Sequence, residues 1–363
     1  MFIDIALKSA ILAQSTTSPN PSVACVLVDE QNNILGQGHT QPAGGSHAEI
    51  MALGDAAAKG LSVTGCTAYV TLEPCCHHGR TGPCCDALIA AGVKKVVASV
   101  ADPNPLVAGQ GFARLRAAGI EVEVGAGAAQ ARELNIGFFS RMIRKTPWVR
   151  MKVAASLDGQ TALPNGQSQW ITGEAARADG HAWRARSCAV LTGIGTVLAD
   201  KPRLDVRHIN ASRQPHVVIV DSQLATPLDA IILGATRARF IYAAVPNDAK
   251  KAALEALGVT VIYLPDQNNK VDLAAMLRDL ARREINELHI EAGHKLNGSF
   301  IRAGLVDEFL VYLAPKLLGL GQGMANFGPL QSLSEAVQLQ FMSTAVVGDD
   351  LCIRARVAGR DQF

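Results

Sequence analysis

The segment TLEPCCHHGRTGPCCDALIAAG, residues 71–92, decides the fold and the chemistry of the first half of the chain. It contains two prolyl-cysteine steps, which end at Cys75 and Cys84, and the second step begins a stretch with the apolar spacing of a helix. Upstream, His47 begins another helical stretch, HAEIMALGDAAAKG. Cysteine and histidine are metal ligands, and the positive end of a helix dipole stabilises a thiolate. The pattern therefore predicts a metal site assembled at helix starts.

The predicted ligands are those of a catalytic zinc ion. One histidine and two thiolates, from His47, Cys75 and Cys84, leave a fourth position open for water. Glu49 follows His47 by two residues, so it can reach that water without binding the metal and can pass a proton to the ring nitrogen and the leaving amine. Zinc deaminases combine H-x-E with P-C-x-x-C, although here CHHGRTGP separates the two cysteines. Glu49 is the predicted catalytic residue.

Two neighbouring cysteines leave the choice of ligands open. Cys76 and Cys85 each follow a predicted ligand directly and carry the same donor atom. We prefer the cysteines that follow proline and keep these two as alternates. If one of them served as a fourth ligand, the site would be closed and structural, and the protein would keep its zinc without releasing ammonia.

The loop between the cysteines is cationic, because His77, His78 and Arg80 lie in it beside the predicted metal. A deaminase that acts on a plain base needs no such groups, whereas a phosphate on the substrate would bind them. The competing interpretation is that one histidine only hydrogen-bonds within the loop, and we assign that role to His78.

Composition restricts the class of partner. The 34 basic and 32 acidic side chains leave a formal charge of +2, far from the basic surface that a phosphate backbone requires. This favours a small-molecule substrate over nucleic acid and opposes the alternative of a tRNA adenosine deaminase, which shares the zinc chemistry. No apolar run reaches the roughly 18 residues of a membrane span, and the first helix lacks a basic leader, so no membrane association is expected. Five of the eight cysteines fall within residues 66–85, which indicates metal chemistry in a reducing cytoplasm and not a disulfide framework.

Alternating strand and helix patterns predict two α/β domains. β-branched runs such as SVACVLV and TAYVTL alternate with helical stretches, up to one long predicted helix over AAQARELNIGFFSRMI, residues 128–143. Pro147 stops the helical pattern, and VRMKVAAS begins a new strand system. The boundary is therefore predicted near residue 145, between domains 1–145 and 146–363.

Two glycine-rich turns in the second half predict phosphate-binding places. TGIGT, residues 192–196, follows the strand CAVL, and GHKLNGS, residues 293–299, follows ELHIEA. Neither is a complete dinucleotide fingerprint or NTPase P-loop, because Leu198 stands at the third glycine position and no lysine follows Gly298. Each nevertheless exposes backbone N–H groups at a helix start, where phosphate oxygens bind. Ordinary helix caps are the competing interpretation of these glycines.

Longer motifs in both halves resemble one family. HAE, TLEPCCHHGRTGPCCDALIAAGVKKVV, SPNPSVACVLV and DPNPLVAGQGFARLRAAGI are similar to the deaminase half of the bifunctional riboflavin biosynthesis (RibD) family, over about the first 145 residues. MKVAASLDGQTA, VVIVDSQ and HIEAGHKLNGSFIRAGLVDEFLVYLAPKLLG resemble its reductase half, over most of residues 147–320. The resemblance implies an α/β protein in which a cytidine-deaminase-like three-layer α/β/α domain precedes a dihydrofolate-reductase-like α/β domain. Cys76 and Gly82 depart from the usual family form, which leaves the predicted ligands intact.

The resemblance also implies which residues bind the substrates and the cofactor. Asn20 would hold the pyrimidine and His77 would lie near the base, while the ribose phosphate would be held by His39, Arg80 and Asn104. An NADPH site would be lined by Ala155, Trp170, Thr196, Asp200, Ser222 and the turn made of Gly293, His294, Lys295, Leu296, Asn297, Gly298 and Ser299. The reductase substrate would face Ser168, Arg184, Leu204, Arg207 and Glu291, of which the two arginines suit its phosphate. Lys152 and Asp200 are candidates for moving protons around hydride transfer.

The implied protein is a bifunctional enzyme of riboflavin synthesis. Its first domain would hydrolyse the amino group of 2,5-diamino-6-ribosylamino-4(3H)-pyrimidinone 5′-phosphate with one zinc ion per chain. Its second domain would reduce 5-amino-6-(5-phosphoribosylamino)uracil to the ribitylamino product with NADPH. The expected partners are these phosphorylated pyrimidines, and we expect a homo-oligomer, a dimer or a tetramer, in the cytoplasm.

Overall fold

Runs of β-branched residues alternate with helix formers along the chain and build two α/β units in the computed structural model, Met1–Lys145 and Thr146–Phe363. The residues that the structure describes are 1–76, 82–105, 107–234 and 236–363. None of the helices within these ranges is both long and apolar enough to span a membrane.

The first unit alternates strands and helices from its first residues. Its described strands are β1 (Ala24–Val28), β2 (Ile34–His39), β3 (Thr67–Val70), β4 (Lys95–Ala98) and β5 (Glu121–Val124). Its described helices are α1 (Phe2–Ala13), α2 (Ala48–Ala58), α3 (Cys84–Ala90), α4 (Gln110–Ala117), α5 (Ala128–Leu134) and α6 (Ile136–Arg144).

A mixed sheet forms the middle layer of this unit, in the order β2-β1-β3-β4-β5. β1 pairs antiparallel with β2 and β3, whereas β3, β4 and β5 run parallel. β1 is buried along its whole length, because α1 and α5 pack on one face of the sheet and α2 packs on the other. Gly36 in β2 permits that close approach, since a Cβ there would lie 2.2 Å from the Ala52 carbonyl oxygen of α2.

The single helix predicted over residues 128–143 is wrong. The helix breaks into α5 and α6 at Asn135, whose φ of −112° and ψ of 22° are not helical. The buried Asn135 side chain instead binds the backbone of Ser22: Oδ1 accepts from the N–H at 2.7 Å, and Nδ2 donates to the carbonyl oxygen at 2.9 Å. These long-range hydrogen bonds outweigh the local helical pattern and hold the last two helices against the start of β1.

The second unit has a larger set of elements. Its described strands are β6 (Trp148–Ser156), β7 (Gln160–Ala162), β8 (Ala189–Gly193), β9 (His216–Val220), β10 (Arg239–Ala243), β11 (Thr260–Tyr263), β12 (Glu287–Ile290), β13 (Glu308–Ala314), β14 (Gln322–Gly323), β15 (Leu339–Val347) and β16 (Asp350–Val357). Its described helices are α7 (Glu174–Arg186), α8 (Ile194–Asp200), α9 (Asp248–Ala256), α10 (Leu273–Arg282) and α11 (His294–Arg302), with 3-10 turns at Ile231–Gly234 and Leu333–Glu335.

A nine-stranded sheet crosses this unit in the order β11-β10-β9-β8-β12-β6-β13-β16-β15. The strands from β11 to β13 in this order run parallel, and β16 pairs antiparallel with β13 and β15. β8 and β12 are buried at every position, as central parallel strands covered on both faces should be. β7 and β14 form a separate two-stranded ladder. The C-terminal hairpin of β15 and β16 was not anticipated from the sequence.

A charged cluster is buried between β6, β12, β13 and β16. Arg150 is 1% exposed and donates from Nε to Glu308 Oε1 at 2.6 Å and from Nη1 to Glu287 Oε2 at 2.9 Å. Arg356 donates from Nε to Glu308 Oε2 at 3.0 Å. Both Glu308 oxygens are thus paired, which offsets the desolvation of a buried carboxylate.

Candidate active sites

Three metal-ligand side chains meet in the first unit. The Sγ atoms of Cys75 and Cys84 lie 3.5 and 3.4 Å from Nδ1 of His47, and the three donor atoms fall within 4.8 Å of one another. His47 is the residue before α2, Cys84 begins α3, and Cys75 lies in the segment after β3. The fold therefore brings together the three ligands that the sequence predicts.

The two alternate cysteines are placed differently. The buried Cys85 thiol donates to the carbonyl oxygens of Pro74 at 3.2 Å and of Gly111 at 3.5 Å, so it is directed at the backbone. Cys76 is half-buried and lies outside the group of donor atoms found among the described residues.

The two thiols of the trio shift each other's pKa in opposite directions. The pKa of Cys75 lies well below its ordinary value, chiefly because the Cys84 side chain donates to it, with His47 and the Cys84 backbone N–H adding to the effect against burial. The pKa of Cys84 is raised, since it holds the proton of that hydrogen bond. A cation that accepts one nitrogen and two sulfur donors would displace this proton, and zinc prefers this donor set. The residues present therefore fit a zinc ion.

Glu49 lies beside this trio in the first turn of α2, with 4% of its surface exposed. Burial raises the pKa of Glu49 to about 7, and the negative charge of Cys75 acts in the same direction. A carboxyl group with a pKa near neutrality can both take and return a proton at physiological pH.

The other described residues that are predicted to bind the deaminase substrate lie in segments next to the strand ends on one side of the sheet. Asn20 precedes β1, and His39 ends β2 opposite the first residue of β1. β3 also ends beside the start of β1 and continues to Cys75, while Asn104 follows β4, which runs parallel to β3. Strand pairing alone thus places these segments at the same strand ends, from which the chain continues to the predicted metal ligand Cys75. The predicted residues His77 and Arg80, and the loop histidine His78, lie outside the described residues.

Glu73, which was not predicted from the sequence to be a site residue, lies two residues before Cys75 and is 3% exposed. Its Oε2 accepts from the N–H groups of Asp102 at 3.1 Å and Gly109 at 2.9 Å. Its Oε1 accepts from the N–H groups of Gly111 at 2.9 Å and of the next residue at 3.2 Å. The sequence does show a charged residue just after an apolar strand. It does not show what that residue binds, because the hydrogen-bond donors to Glu73 lie about 30 to 40 residues further along the chain.

In the second unit, two glycine turns face each other at the carboxyl ends of β8 and β12. β8 ends at Gly193 and α8 follows at once, while Gly293 follows β12 and precedes α11, and neither glycine offers a side-chain cap. A Cβ on Gly193 would lie 3.0 Å from Leu296 Cδ2, and one on Gly293 would lie 3.9 Å from Thr196 Oγ1. Two neighbouring helix starts without side-chain caps, at the ends of parallel strands, are a place for phosphate oxygens. The residues present therefore fit the pyrophosphate of a dinucleotide.

Other residues predicted for the cofactor lie around the same strand ends. Ala155 is buried near the end of β6, and Ser222 follows β9 and accepts a backbone hydrogen bond at 3.2 Å through Oγ. In α11, Asn297 donates from Nδ2 to a loop carbonyl oxygen at 3.1 Å, and its buried Oδ1 has no partner within the described residues. The Ser299 hydroxyl donates back to a carbonyl oxygen of its own helix.

Trp170 and Asp200 are the two remaining residues predicted for the cofactor. Trp170 is 65% exposed, and the Arg177 guanidinium stacks 4.6 Å from its ring centroid. Asp200 is the last residue of α8, and burial raises its pKa. Lys152, its suggested partner in proton transfer, lies on β6, and the described part of the chain shows no ion pair between the two.

Two residues predicted to bind the reductase substrate bind each other. Arg184 of α7 makes two hydrogen bonds to Glu291, which follows β12; the one from Nη2 to Oε2 is 2.9 Å long. Lys152 Nζ lies 3.8 Å from the same carboxylate. Burial opposes ionisation, but these cations outweigh it and hold the pKa of Glu291 well below its ordinary value, whereas burial lowers the pKa of Lys152. His289, which sequence analysis missed, is fully buried with Nε2 3.5 Å from Glu291 Oε1.

The remaining predicted substrate residues lie in two connecting segments. Arg207 pairs with Asp205, whose carbonyl oxygen accepts from Arg184 Nη1 at 3.1 Å. Leu204 is buried just before this pair. Ser168 lies in the segment between β7 and α7. The structure therefore joins the Arg207 segment to the Arg184 side chain.

Comparison with known proteins identifies both units. Residues 1–100 match the cytidine and deoxycytidylate deaminase zinc-binding region, and residues 147–353 match the RibD C-terminal domain. The chain is 43% identical to riboflavin biosynthesis protein RibD of Escherichia coli over 357 residues, with 96% of each chain covered. It is 40% identical to RibD of Aquifex aeolicus over 352 residues, which cover 97% of this chain and 96% of that one.

Solved structures agree with this result. RibD of Acinetobacter baumannii aligns with a TM-score of 0.89 and 40% identity, over 98% of this chain and 97% of that one. A diaminohydroxyphosphoribosylaminopyrimidine deaminase/5-amino-6-(5-phosphoribosylamino)uracil reductase of Thermotoga maritima aligns with a TM-score of 0.87 and 30% identity, over 98% of each chain.

The fold and the matches define a bifunctional enzyme, in which a zinc-dependent pyrimidine deaminase precedes an NADPH-dependent reductase. The chain belongs to the RibD family of riboflavin biosynthesis proteins. The predicted fold class, a cytidine-deaminase-like domain followed by a dihydrofolate-reductase-like domain, is confirmed, as are the two activities and the cofactors zinc and NADPH.

Proposed function

We propose that the first unit, residues 1–145, removes the amino group of 2,5-diamino-6-ribosylamino-4(3H)-pyrimidinone 5′-phosphate with zinc held by His47, Cys75 and Cys84. The observation that carries this proposal is the trio of donor atoms within 4.8 Å beside the buried Glu49. When bound, zinc lowers the pKa of a water molecule so that it attacks the amine-bearing carbon of the ring.

Glu49 moves the protons of this reaction. A pKa of about 7 lets its carboxylate take one proton from water and give it to the ring nitrogen, and then carry the proton of the newly added hydroxyl group to the amine, which leaves as ammonia. Asn20 holds the pyrimidine, with His77 near the base. The ribose phosphate is bound by His39, Arg80 and Asn104, of which the cationic side chains suit an anion.

The test of this proposal is Glu49→Gln, which keeps the shape of the side chain but cannot carry a proton. Ammonia release should fall at least about a hundredfold, as expected for loss of a general acid and base. Zinc content per chain and NADPH oxidation with the deaminated substrate should stay at the wild-type value. Glu30→Gln, on an exposed glutamate that pairs with Lys94 in the same unit, is the matched control. Full ammonia release by Glu49→Gln would instead indicate a structural zinc site.

The second unit, residues 146–363, reduces 5-amino-6-(5-phosphoribosylamino)uracil to the ribitylamino product, with NADPH as the source of hydride. The cofactor lies against Ala155, Trp170, Thr196, Asp200, Ser222 and the turn from Gly293 to Ser299. The substrate faces Ser168, Arg184, Leu204, Arg207 and Glu291. The paired uncapped helix starts of α8 and α11 support the pyrophosphate position.

Lys152 is the better placed of the two candidates for proton transfer in the reductase. Its lowered pKa and its position 3.8 Å from Glu291 support a role as the donor of a proton to the ribose ring oxygen, which separates from the anomeric carbon when that carbon takes hydride. Asp200, at the far end of α8, remains the second candidate.

The enzyme works in the cytoplasm as a homo-oligomer in which β15 of two copies pair. β15 is the outer strand of the sheet, and LQFMSTAVV contains no charge or proline that would block pairing. Phe341 and Val346 on it are 72% and 76% exposed. A second copy fits this edge, because antiparallel pairing around a two-fold axis would bring no like charges together. Eight free cysteines support a reducing compartment.

Val346→Lys tests this assembly by placing charges at the pairing edge. Sedimentation velocity should show a shift from the wild-type dimer or tetramer toward smaller species. Leu61→Lys, at an exposed position of the first unit, should leave the assembly unchanged. A wild-type protein that sediments as a monomer would contradict the assignment.

A further inference from the structure

We infer that Glu73 is a positioning residue for the deaminase substrate: its carboxylate fixes residues 102–105 and 107–112, and with them Asn104, against the strand end that leads to the proposed ligand Cys75. This inference rests on the proposed function, in which Asn104 binds the ribose phosphate.

The Glu73 carboxylate acts as a cap from outside the helix. α4 begins at Gln110, whose N–H donates to the Val107 carbonyl oxygen at 2.7 Å, but the cap residue Gly109 has no side chain that could accept the next N–H groups of the helix. Glu73 Oε1 accepts two of them, from Gly111 and Phe112, where the positive end of the helix also favours a negative charge. Its Oε2 accepts the N–H groups of Gly109 itself and of Asp102.

The contact between the two segments is close as well as polar. A Cβ on Gly111 would lie 2.1 Å from the Pro74 carbonyl oxygen and 3.1 Å from Glu73 Cγ. The Cys85 thiol donates to both Pro74 and Gly111 from the other side. The start of α4 therefore directly contacts the peptide group that joins Pro74 to Cys75.

The same segment then fixes the backbone of Asn104. Asp102, whose N–H is held by Glu73, accepts the Asn104 N–H through Oδ1 at 2.8 Å. The Asn104 carbonyl oxygen accepts from the N–H groups of Val107 at 2.8 Å and Ala108 at 3.0 Å. Asn104 thus lies between two residues, Asp102 and Gly109, whose N–H groups bind the same carboxylate. Since each Glu73 oxygen already accepts two backbone bonds, the side chain acts through these residues and not on the substrate.

Glu73→Gln tests the inference, because the amide keeps the size of the side chain but turns one acceptor into a donor facing two N–H groups. Displacement of Asn104 would weaken the binding of the substrate and of the transition state equally. The KM for the diaminopyrimidinone phosphate should therefore rise about tenfold or more. The value of kcat and the zinc content should stay within about twofold of wild type. Glu123→Gln, on an exposed glutamate of β5, is the matched control and should change neither constant.

A double-mutant cycle separates positioning from general loss of structure. In an Asn104→Ala background, Glu73→Gln should raise KM further by less than about twofold, because the two residues act through one contact. If the double variant instead showed the product of the two separate increases in KM, about tenfold from each substitution, the inference would be overturned. An unchanged KM in Glu73→Gln would also overturn it. If the Glu73→Gln variant loses its zinc, the inference is tested with Asp102→Ala instead. A raised KM in a variant that keeps its zinc supports the inference, and an unchanged KM overturns it. Absence of ammonia release by the wild-type enzyme would instead overturn the proposed function.

Discussion

At the scale of single residues, Gly298 shows how little room the proposed cofactor turn leaves. A Cβ on Gly298 would lie 1.8 Å from the Asn326 carbonyl oxygen, because the chain around Asn326 crosses directly over α11. That crossing is held by the Asn326 N–H, which donates to the His294 carbonyl oxygen at 2.8 Å, and by the Asn297 side chain. The backbone on both sides of the contact would have to move to admit a methyl group.

Gly298→Ala should therefore raise the dissociation constant for NADPH and destabilise the second unit by about 1–3 kcal/mol, the cost of forcing an extra methyl group into packed structure. Equilibrium titration of NADPH and thermal unfolding measure the two effects. Gly180→Ala is the control, since a Cβ at that helical glycine of α7 meets nothing within 4 Å and should stabilise by about 0.5–1 kcal/mol. Equal behaviour of the two variants would contradict the packing argument.

Individual site residues could be predicted where the signal is local. The prolyl-cysteine steps and the H-x-E spacing pick out His47, Cys75 and Cys84, and the structure brings their donor atoms together. Glu73 and the pairing of Arg184 with Glu291 could not be predicted, because each depends on a partner that only the tertiary fold brings near.

At the scale of elements, the buried charges between β6, β12, β13 and β16 make the second unit sensitive to acid. Burial opposes ionisation of Glu308, but Arg150 and the other arginines outweigh it and lower its pKa from 4.5 to about 2. A carboxyl whose pKa is lower in the folded state stabilises the protein above the pKa of the unfolded chain. That contribution, on the order of 3 kcal/mol, is lost as the pH falls from about 4.5 toward 2.

We expect the free energy of unfolding of the second unit to fall in this pH range. Fluorescence during urea unfolding follows that unit selectively, because all three tryptophans, Trp148, Trp170 and Trp183, lie in it. Glu308→Gln should be less stable at pH 7 by about 3–5 kcal/mol, since it leaves Arg150 partly unpaired in the interior, and its stability should depend less on pH. Glu255→Gln, at an exposed pair with Lys251, should keep the wild-type pH dependence. The same pH dependence in Glu308→Gln and wild type would contradict this assignment.

Elements differed in how well the sequence specified them. The parallel strands appear as short apolar runs because both of their faces are buried, as β8 and β12 show. The hairpin of β15 and β16 lacks that signal, since β15 is exposed along most of its length. The break between α5 and α6 has its cause in Ser22, more than a hundred residues away, so helical periodicity could not reveal it.

At the scale of the whole molecule, the proposed zinc ligands and the proposed NADPH turns belong to different units of one chain. Removal of zinc with a chelator should abolish ammonia release and leave NADPH oxidation unchanged when 5-amino-6-(5-phosphoribosylamino)uracil is supplied directly. With the diamino compound as substrate, NADPH oxidation should also stop, because reduction follows deamination. Absorbance of the nicotinamide and an ammonia assay report the two steps.

Added zinc should restore both steps in the chelated enzyme. NADPH oxidation by chelated enzyme with the diamino compound would show that the order of reactions is wrong. The division of the chain into two catalysts was open to prediction because each half carries its own motifs, whereas the exposed edge strand β15 carries no motif.

The Glu73 cap sets a minimum length for a working deaminase fragment. A chain that ended at residue 100 would contain His47, Glu49, Cys75 and Cys84, but none of the four N–H groups that Glu73 binds. The Glu73 carboxylate would then lack all four of the backbone donors that it has in the full chain, and Asn104 would be absent. During synthesis, Glu73 can therefore make all four of these hydrogen bonds only after Phe112 has left the ribosome, well after the last predicted zinc ligand, Cys84, has been made.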